Sequence, residues 1–466
     1  MENTEKKRGS FTGSLGFVLA AAGSAVGLGN LWRFPYLAAK NGGGLFLLVY
    51  VVLALTFGFA LMTTEIAIGR KTKLSPIKAY SAVDKKFGFL GYIASFVPLI
   101  IFPYYCVIGG WVTKYMTDFV IGKGMETVND GYFTGFITSH FAPIFWCAIF
   151  MAASALVVFF GVDKGIEKIS KILMPALLVL IVGIAIFTLT IKGTEHTALE
   201  GLKIYFVPDF TGITVGKFFN ILIDAASQIF YSMSIAMGIM ITYGSYTHKE
   251  TNLVKSVNRI ELCDTGVALV AGMIMVPVVF AFQGQAGLEA SGPSLLFVSL
   301  PKVFEAMGFI GNFVGVAFFL LVVFAALTSS ISLFEAIVSV AMDKFSWSRK
   351  KSCVIALVFS AVLALLVCLG YNVLYFEVDL PNAANVQLLD IFDYVSNNVI
   401  MPVVAFLTCI LIGWVVKPKT VTDEIKINGE KFGREKLFIV MIKYVAPIFL
   451  VLIFASPILS AFGILK

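Results

Sequence analysis

The sequence predicts an all-α polytopic membrane protein with about eleven transmembrane helices, on three observations. Charged residues make up 14% of the chain and hydrophobic ones 59%, whereas a soluble domain carries roughly 25% charged residues. Eleven apolar segments follow one another, near 14–38, 44–69, 90–120, 142–160, 168–190, 217–243, 258–281, 309–341, 352–371, 388–416 and 438–463. Each is of the order of the about 20 residues that a helix needs to cross hydrocarbon. The basic residues, finally, cluster in alternate loops.

That clustering fixes an orientation. With the amino terminus in the cytoplasm, the inside loops hold Lys6 to Arg8, Arg70 to Lys86, Lys164 to Lys171, Lys249 to Arg259, Lys344 to Lys351 and Lys417 to Lys436. Together these carry 25 of the 35 basic residues. The opposite loops are sparse, with Lys123, Lys192, Lys203 and Lys302. The net charge of +7 is therefore topological and implies no nucleic-acid partner. An odd number of spans puts the carboxyl end outside. The opening "MENTEKKRGSF" is polar and does not read as a cleaved signal peptide. Five of the six cysteines lie well inside apolar segments and Cys263 near the start of one, without metal spacing; they read as small buried thiols. The whole chain, 1–466, reads as a single transmembrane domain.

Soluble-enzyme motifs are missing. "GLGNLW" begins like a dinucleotide fingerprint, but Trp32 replaces the third glycine and no strand precedes it. His140, His196 and His248 fall in separate loops, and no His-Glu-x-x-His or serine-nucleophile motif occurs. An enzyme is not expected.

What remains is polarity at membrane depth. A charge at a helix centre costs roughly 2.5–3.5 kcal/mol on insertion scales, so Arg33, Glu65, Asp264, Glu335, Asp390 and Asp393 are functional candidates. For Glu65 and Glu335, ion pairing or backbone hydrogen bonding is the favoured reading. The stretch "AAAGSAVGLGNLWRFP" (20–35) adds Gly23, Gly27, Gly29 and Asn30 to a span. Gly23-x-x-x-Gly27 alone could be a packing seam. The further Gly29, Asn30 and Arg33 point instead to a helix that unwinds midway, whose freed carbonyls and amides must face a ligand, an ion or a water cavity. If the architecture uses inverted repeats, a second interrupted helix lies five spans later. There "AASQIFYSMSIAMGIM" (225–240) sets Ser227, Gln228, Ser232 and Ser234 in apolar surroundings, with a weaker break at Ala236, Met237 and Gly238. "PYYCVIGGW" (103–111) and "AALTSSISLFEA" (325–336) correspond in the third and eighth segments, and together these favour a midplane site.

These residues resemble the neurotransmitter:sodium symporters. "GSAVGLGNLWRFPYLAAKNGGGLF" is similar to that family's first helix and following loop, "GVDKGIEK" to its loop between helices 4 and 5, and "QIFYSMS" to helix 6. "LTSS" and "LDIFDY" are similar to helices 8 and 10. The resemblance runs from about residue 8 to 416 and implies a five-plus-five inverted repeat, about 14–190 and 217–416, with helices 1 and 6 unwound and an extra helix about 438–463.

The resemblance further implies two sodium sites. The first would use the Ala25 carbonyl with Asn30, Ser232 and Asp264, together with the substrate carboxylate. The second would use carbonyls of Gly23, Val26 and Ala325 with the hydroxyls of Thr328 and Ser329. All are the oxygen donors a hard cation prefers. The amino acid's carboxylate would meet the amides of Leu28 and Gly29 and the Tyr105 hydroxyl, with Ser24, Gly27 and Ser329 adjoining. Its ammonium would face carbonyls of Ala25, Tyr231 and Ser232, beside Ser234. Ile101, Tyr231, Met237 and Leu333 would shape the side-chain compartment, with Met237 where many relatives have phenylalanine and Ala236 where glycine is common. No charge enters that compartment, so neutral hydrophobic L-amino acids, aromatic ones included, are expected. Asp264 would supply the negative charge that chloride provides in animal members, making chloride unnecessary.

Arg33 and Asp393 are similar to the family's outer gate, linked through water. Arg8, Asp343 and Tyr246 are similar to its inner gate. Gly165 and Pro175 match a pair between which helix 5 unwinds in some bacterial members, although a static proline kink reads equally well. The function implied is sodium-coupled amino acid import by alternating access in a bacterial cytoplasmic membrane. The bilayer and a small amino acid would be its partners, with no particular oligomeric state specified. A proton-coupled transporter is the alternative and an ion channel a more distant one.

Overall fold

The computed structural model describes residues 9–193, 196–211, 213–288, 293–380 and 383–461. Among them, nine helices are long and apolar enough to cross a membrane: Gly44–Thr72, Lys85–Val120, Ala142–Phe159, Val162–Thr188, Leu253–Gly284, Phe309–Phe345, Arg349–Leu369, Leu388–Val415 and Glu435–Ala455. A tenth span is a bent pair, Ser14–Ala25 and Gly29–Lys40, with a 52° change of direction. The predicted sixth segment is two helices, Val215–Ser232 and Ile239–Ser245, the first of which also carries Lys217, Asn220 and Asp224. Counted along the chain with the bent pair as span 1, these make spans 1 to 11. The described β structure is one antiparallel hairpin, Val378–Leu380 with Ala383–Val386, and two isolated bridges.

The spans are sorted by which faces they bury. Span 8 (Phe309–Phe345) packs along span 3 (Lys85–Val120), and span 1 lies against spans 5, 7 and 8. Span 9 (Arg349–Leu369) instead turns Val354, Val358, Phe359 and Val362 outward, and span 5 (Val162–Thr188) turns out Val179 and Ile186. Exposed branched apolar faces on regular helices suit hydrocarbon as the outer solvent. All six cysteines are free, and Cys263 alone is less than fully buried.

The second half of span 6, Ile239–Ser245, is too short to hold itself in place, and glycines dock it. A Cβ on Gly69 of span 2 would overlap the Ile241 carbonyl oxygen, and one on Gly244 would overlap the backbone of Ile66. The two backbones are therefore in direct contact, as small residues permit inside membranes. Gly244→Leu is expected to lower the melting temperature of detergent-purified protein, since such overpacking costs on the order of 1–3 kcal/mol. An unchanged melting temperature in a tryptophan-fluorescence scan would contradict this packing.

Candidate functional site at the two helix breaks

Span 1 loses its helical path at Val26, where φ −74 and ψ 99 are extended, and resumes as a π-helical turn at Gly29–Arg33. Span 6 loses it over residues 233–238. The sequence reading made this second break the weaker one; the structure makes it the longer. Its path needs positive φ at Ser234 (53°), Ala236 (63°) and Gly238 (71°). Two of these are not glycine, so the local sequence did not announce the strain. The Glu65 carboxylate of span 2 accepts the Ala236 N–H at 2.7 Å, and a Cβ on Gly238 would clash with the Pro76 ring. Tertiary contacts thus impose the break.

Spans 6 and 8 satisfy backbone freed at the first break. Ser234 donates its hydroxyl to the Ser24 carbonyl at 2.9 Å, and Ser329 of span 8 donates to the same oxygen at 3.0 Å. Gln228 donates to the Gly29 carbonyl at 2.9 Å. Asn30 accepts the Gly27 N–H at 3.1 Å, and the Leu28 N–H points to the Tyr105 hydroxyl at 3.4 Å. The Ser24 hydroxyl lies 3.1 Å from that of Ser234 and 2.7 Å from that of Ser332. The glycines also admit close neighbours. A Cβ on Gly29 would run into the Tyr231 ring, and one on Gly27 into the Ser329 hydroxyl.

Between the breaks lies a cavity of about 20 Å³, lined by Ser24, Ala25, Gly27, Leu28, Gly29, Ile101, Tyr105, Tyr231, Ser234, Met237, Ile239, Ser329 and Leu333. Twelve of the fourteen residues proposed to touch substrate are among them. Ser232 and Ala236 are not: the Ser232 hydroxyl turns to Asp264 and Tyr50, and Ala236 faces Glu65. Ile239 lines the cavity and was not anticipated. No charged side chain of the described residues does so. The volume suffices for about one water, so side chains must move before an amino acid fits.

The residues assigned to the two sodium sites also gather. Asp264 of span 7 is wholly buried. Its carboxylate accepts from Asn30 at 2.7 Å, from Ser232 at 3.2 Å and from the Tyr50 hydroxyl at 3.4 Å. No basic side chain pairs with it among the described residues. Tyr50 escaped the sequence reading because it sits in an unbroken apolar run, "LLVYVVL". Ala25, the remaining residue of that set, ends the first half of span 1. At the second set, Ser329 also lies 3.4 Å from the carbonyls of Gly23 and Val26. Thr328 donates to the Ala325 and Phe324 carbonyls at 3.0 Å each. A Cβ on Gly23 would touch Thr328 and, from span 5, Met174.

On one side of the cavity, Arg33, Asp390 and Asp393 line a second cavity of about 210 Å³ with Trp32, Tyr36, Ile108, Pro293, Leu389 and Tyr231, which borders both cavities. Arg33 donates to Ser227 at 3.0 Å and lies over the Tyr231 ring. Asp393 accepts from Tyr104 at 3.0 Å and Asn397 at 2.6 Å. There is no direct ion pair between Arg33 and Asp393 among the described residues. Asp390 accepts the Gln387 N–H at 3.1 Å and caps its helix.

On the other side, Arg8 lies outside the described residues. Asp343 accepts the Ser75 N–H at 2.7 Å. The Tyr246 hydroxyl donates to Glu335 at 2.6 Å. Arg349 grips Glu335 with two bonds of 2.7 Å. Glu65 and Glu335 thus take the backbone and ion-pair partners expected of buried carboxylates. The stretch between Gly165 and Pro175 stays helical, first as a π-helix, Val162–Glu167, then within Lys168–Thr188. The unwinding anticipated there is not a feature of this conformation. Glu167 accepts from the Thr12 N–H at 2.7 Å and from its hydroxyl, and pairs with Lys171 at 2.6 Å. Close contact of Gly165 with the Val157 backbone clamps the same turn.

Two broken helices closing on a buried, uncharged cavity, with hydroxyls and a carboxylate beside it, define a membrane transport site. Residues 8–123 and 138–463 match the sequence profile of the sodium:neurotransmitter symporter family, and the chain belongs to that family. It is 32% identical over 470 residues to the uncharacterized sodium-dependent transporter YhdH of Bacillus subtilis, covering 99% of this chain and 100% of the relative. An uncharacterized sodium-dependent transporter of Methanocaldococcus jannaschii is 33% identical, over 92% of this chain and 86% of its own. The sodium- and chloride-dependent taurine transporter of Homo sapiens is 26% identical, over 91% and 74%. The crystal structure of MhsT in complex with L-phenylalanine superposes with a TM-score of 0.86 at 34% identity, covering 97% of this chain and 100% of that one.

Gly29→Ala, which drives a methyl group into the Tyr231 ring, is expected to weaken ligand binding at least tenfold, a cost within the about 1–3 kcal/mol of overpacking. Gly183→Ala, where a Cβ meets nothing within 4 Å, is the matched control. Equal affinities for the two variants by equilibrium binding would contradict this geometry.

Proposed function

We propose that the protein imports neutral, apolar L-amino acids, phenylalanine-sized ones included, by sodium-coupled alternating access, and that it needs no chloride. The observation that carries this is Asp264. A buried carboxylate without a basic partner is costly unless a cation neutralises it. Here it adjoins Asn30, Ser232 and Tyr50, and a sodium ion held there would balance the charge in place. A chloride ion beside it would then be a surplus anion. The hydroxyls and carbonyls around Ser329 and Thr328 carry no formal charge and suit a second sodium ion.

The substrate reading is supported by a cavity without charged walls and by the phenylalanine named for MhsT. The amides at Leu28 and Gly29 and the Tyr105 hydroxyl would take the carboxylate, and the carbonyls at Ala25, Tyr231 and Ser232 the ammonium. Flexible Met237 would adapt to large side chains. Arg33 and Asp393, separated by a cavity, would close the outer path through water. Arg8 and Asp343 would close the inner one. Straightening or unwinding of span 5 between Gly165 and Pro175, next to Met174, would release the second sodium ion to the cytoplasm. In this arrangement the two repeats, about 14–190 and 217–416, surround the site in one cell-membrane domain whose amino terminus is cytoplasmic and carboxyl terminus outside.

In proteoliposomes, L-phenylalanine uptake is expected to follow an inward sodium gradient, to persist when gluconate replaces chloride, and to vanish in choline. Asp264→Asn should make residual uptake depend on chloride or abolish it. Unchanged chloride-free uptake by Asp264→Asn would overturn the charge argument, and uptake sustained in choline would overturn sodium coupling.

A further inference from the structure

The geometry points to Glu65 as a positioning residue that sets which side chains the pocket accepts, by bracing the backbone of Ala236 next to Met237. This inference rests on the amino acid site proposed above. Glu65 is 1% exposed and sits on span 2, outside the cavity lining. One of its oxygens accepts the Ala236 N–H at 2.7 Å, while the other, Oε2, is buried with no hydrogen-bond partner. No ion pair involves it among the described residues. A buried carboxyl group with so little satisfaction is expensive to keep, and its one bond ends on a residue in an unfavourable conformation. Ala236 has φ 63°, a left-handed value that a residue with a Cβ resists unless its surroundings hold it.

The position of that bond matters for what Met237 can do. Met237 lies between two fixed points: Ala236, held by Glu65, and Gly238, whose left-handed backbone fits against the Pro76 ring. Its backbone is pinned on both sides, so only its side chain adapts to a ligand. Releasing the Ala236 end would let the Met237 backbone shift at the end of the cavity that takes the ligand's side chain. The opposite end, at Leu28 and Tyr105, belongs to spans 1 and 3 and would not move with it. Loss of the brace therefore alters affinity for large side chains and spares small ones, whereas a merely structural defect would weaken all ligands together.

The inference also makes Glu65 dispensable once its task is removed. Glycine reaches φ 63° without a Cβ clash, so Ala236→Gly should free the segment from its need for the carboxylate. Gln at 65 keeps a carbonyl oxygen for the amide and should serve in place of Glu.

The test measures dissociation constants for L-phenylalanine and L-alanine in sodium buffer, using the purified full chain and the variants E65Q, E65L, A236G and E65L/A236G. E65L is expected to change the phenylalanine-to-alanine affinity ratio about tenfold, the size of one lost buried hydrogen bond. E65Q, A236G and E65L/A236G are expected to stay within about twofold of the native ratio. A native ratio in E65L, or the same shift in E65L and E65L/A236G, would overturn the inference. If E65L does not fold, folding of E65L/A236G with a native ratio supports it, and failure of that double variant as well overturns it. Binding of neither amino acid by the unaltered protein would instead be a failure of the proposed function.

Discussion

Hydrocarbon offers no hydrogen bonds, and this constraint governs the centre of the molecule. A helix that opens inside a membrane frees amides and carbonyls that only protein, ions or a ligand can satisfy. Here spans 1 and 6 open beside one another, and side chains of span 6 bond backbone freed in span 1. Ser234 and Ser329 bond the Ser24 carbonyl, Gln228 bonds that of Gly29, and Asn30 ties its own break to Asp264. What stays open between them is a cavity of uncharged walls with a carboxylate just beyond it. The groups freed at the breaks are the ones proposed to meet substrate and ions.

The surroundings divide into parts that hold and parts that can yield. Span 2 holds: Gly69 and Gly244 bring it into backbone contact with the second half of span 6, and Glu65 fixes the break itself. Glu335 and Arg349 tie spans 8 and 9 to Tyr246 through short, buried bonds. Truncating one partner of such a group leaves an uncompensated charge behind, which suits a fixed anchor. The contacts at the two mouths are of another kind. Arg33 and Asp393 share a cavity without an ion pair, and Glu167 meets Thr12 near the amino terminus, with the exposed Lys171 beside it. Of these groups Lys171 is the exposed one, and its pairing with Glu167 contributes little, about 0–1 kcal/mol; Arg33 and Asp393 have no ion pair to lose, so on the proposed reading both mouths can open.

Much of this was legible in the chain itself, and the reasons are specific. The first break was visible because Gly23, Gly27, Gly29 and Asn30 are crowded into one otherwise apolar span, a pattern that continuous helix does not require. The second is less visible because Ser234 and Ala236 are ordinary residues with left-handed backbone, while Glu65 holds Ala236 and Pro76 meets Gly238 from outside the segment. Tyr50, Ile239 and Ser332 look like any other residue of an apolar helix until the fold sets them against Asp264, the cavity and Ser24. Gly165 and Pro175 mark a place where a helix can open, but whether it has opened depends on distant contacts at Thr12 and Val157 that no local pattern records.

The central claim is that the cavity binds an amino acid only together with sodium. The most direct measurement is the thermal stability of the detergent-purified protein against each of the twenty L-amino acids, in sodium and in choline buffer. A ligand bound by the folded state alone stabilises it by RT ln(1 + [L]/Kd), about 2.7 kcal/mol at a hundredfold excess. Stabilisation by large apolar amino acids in sodium, absent in choline, is the result this account predicts. Equal stabilisation in both buffers, or none by any amino acid, would contradict it.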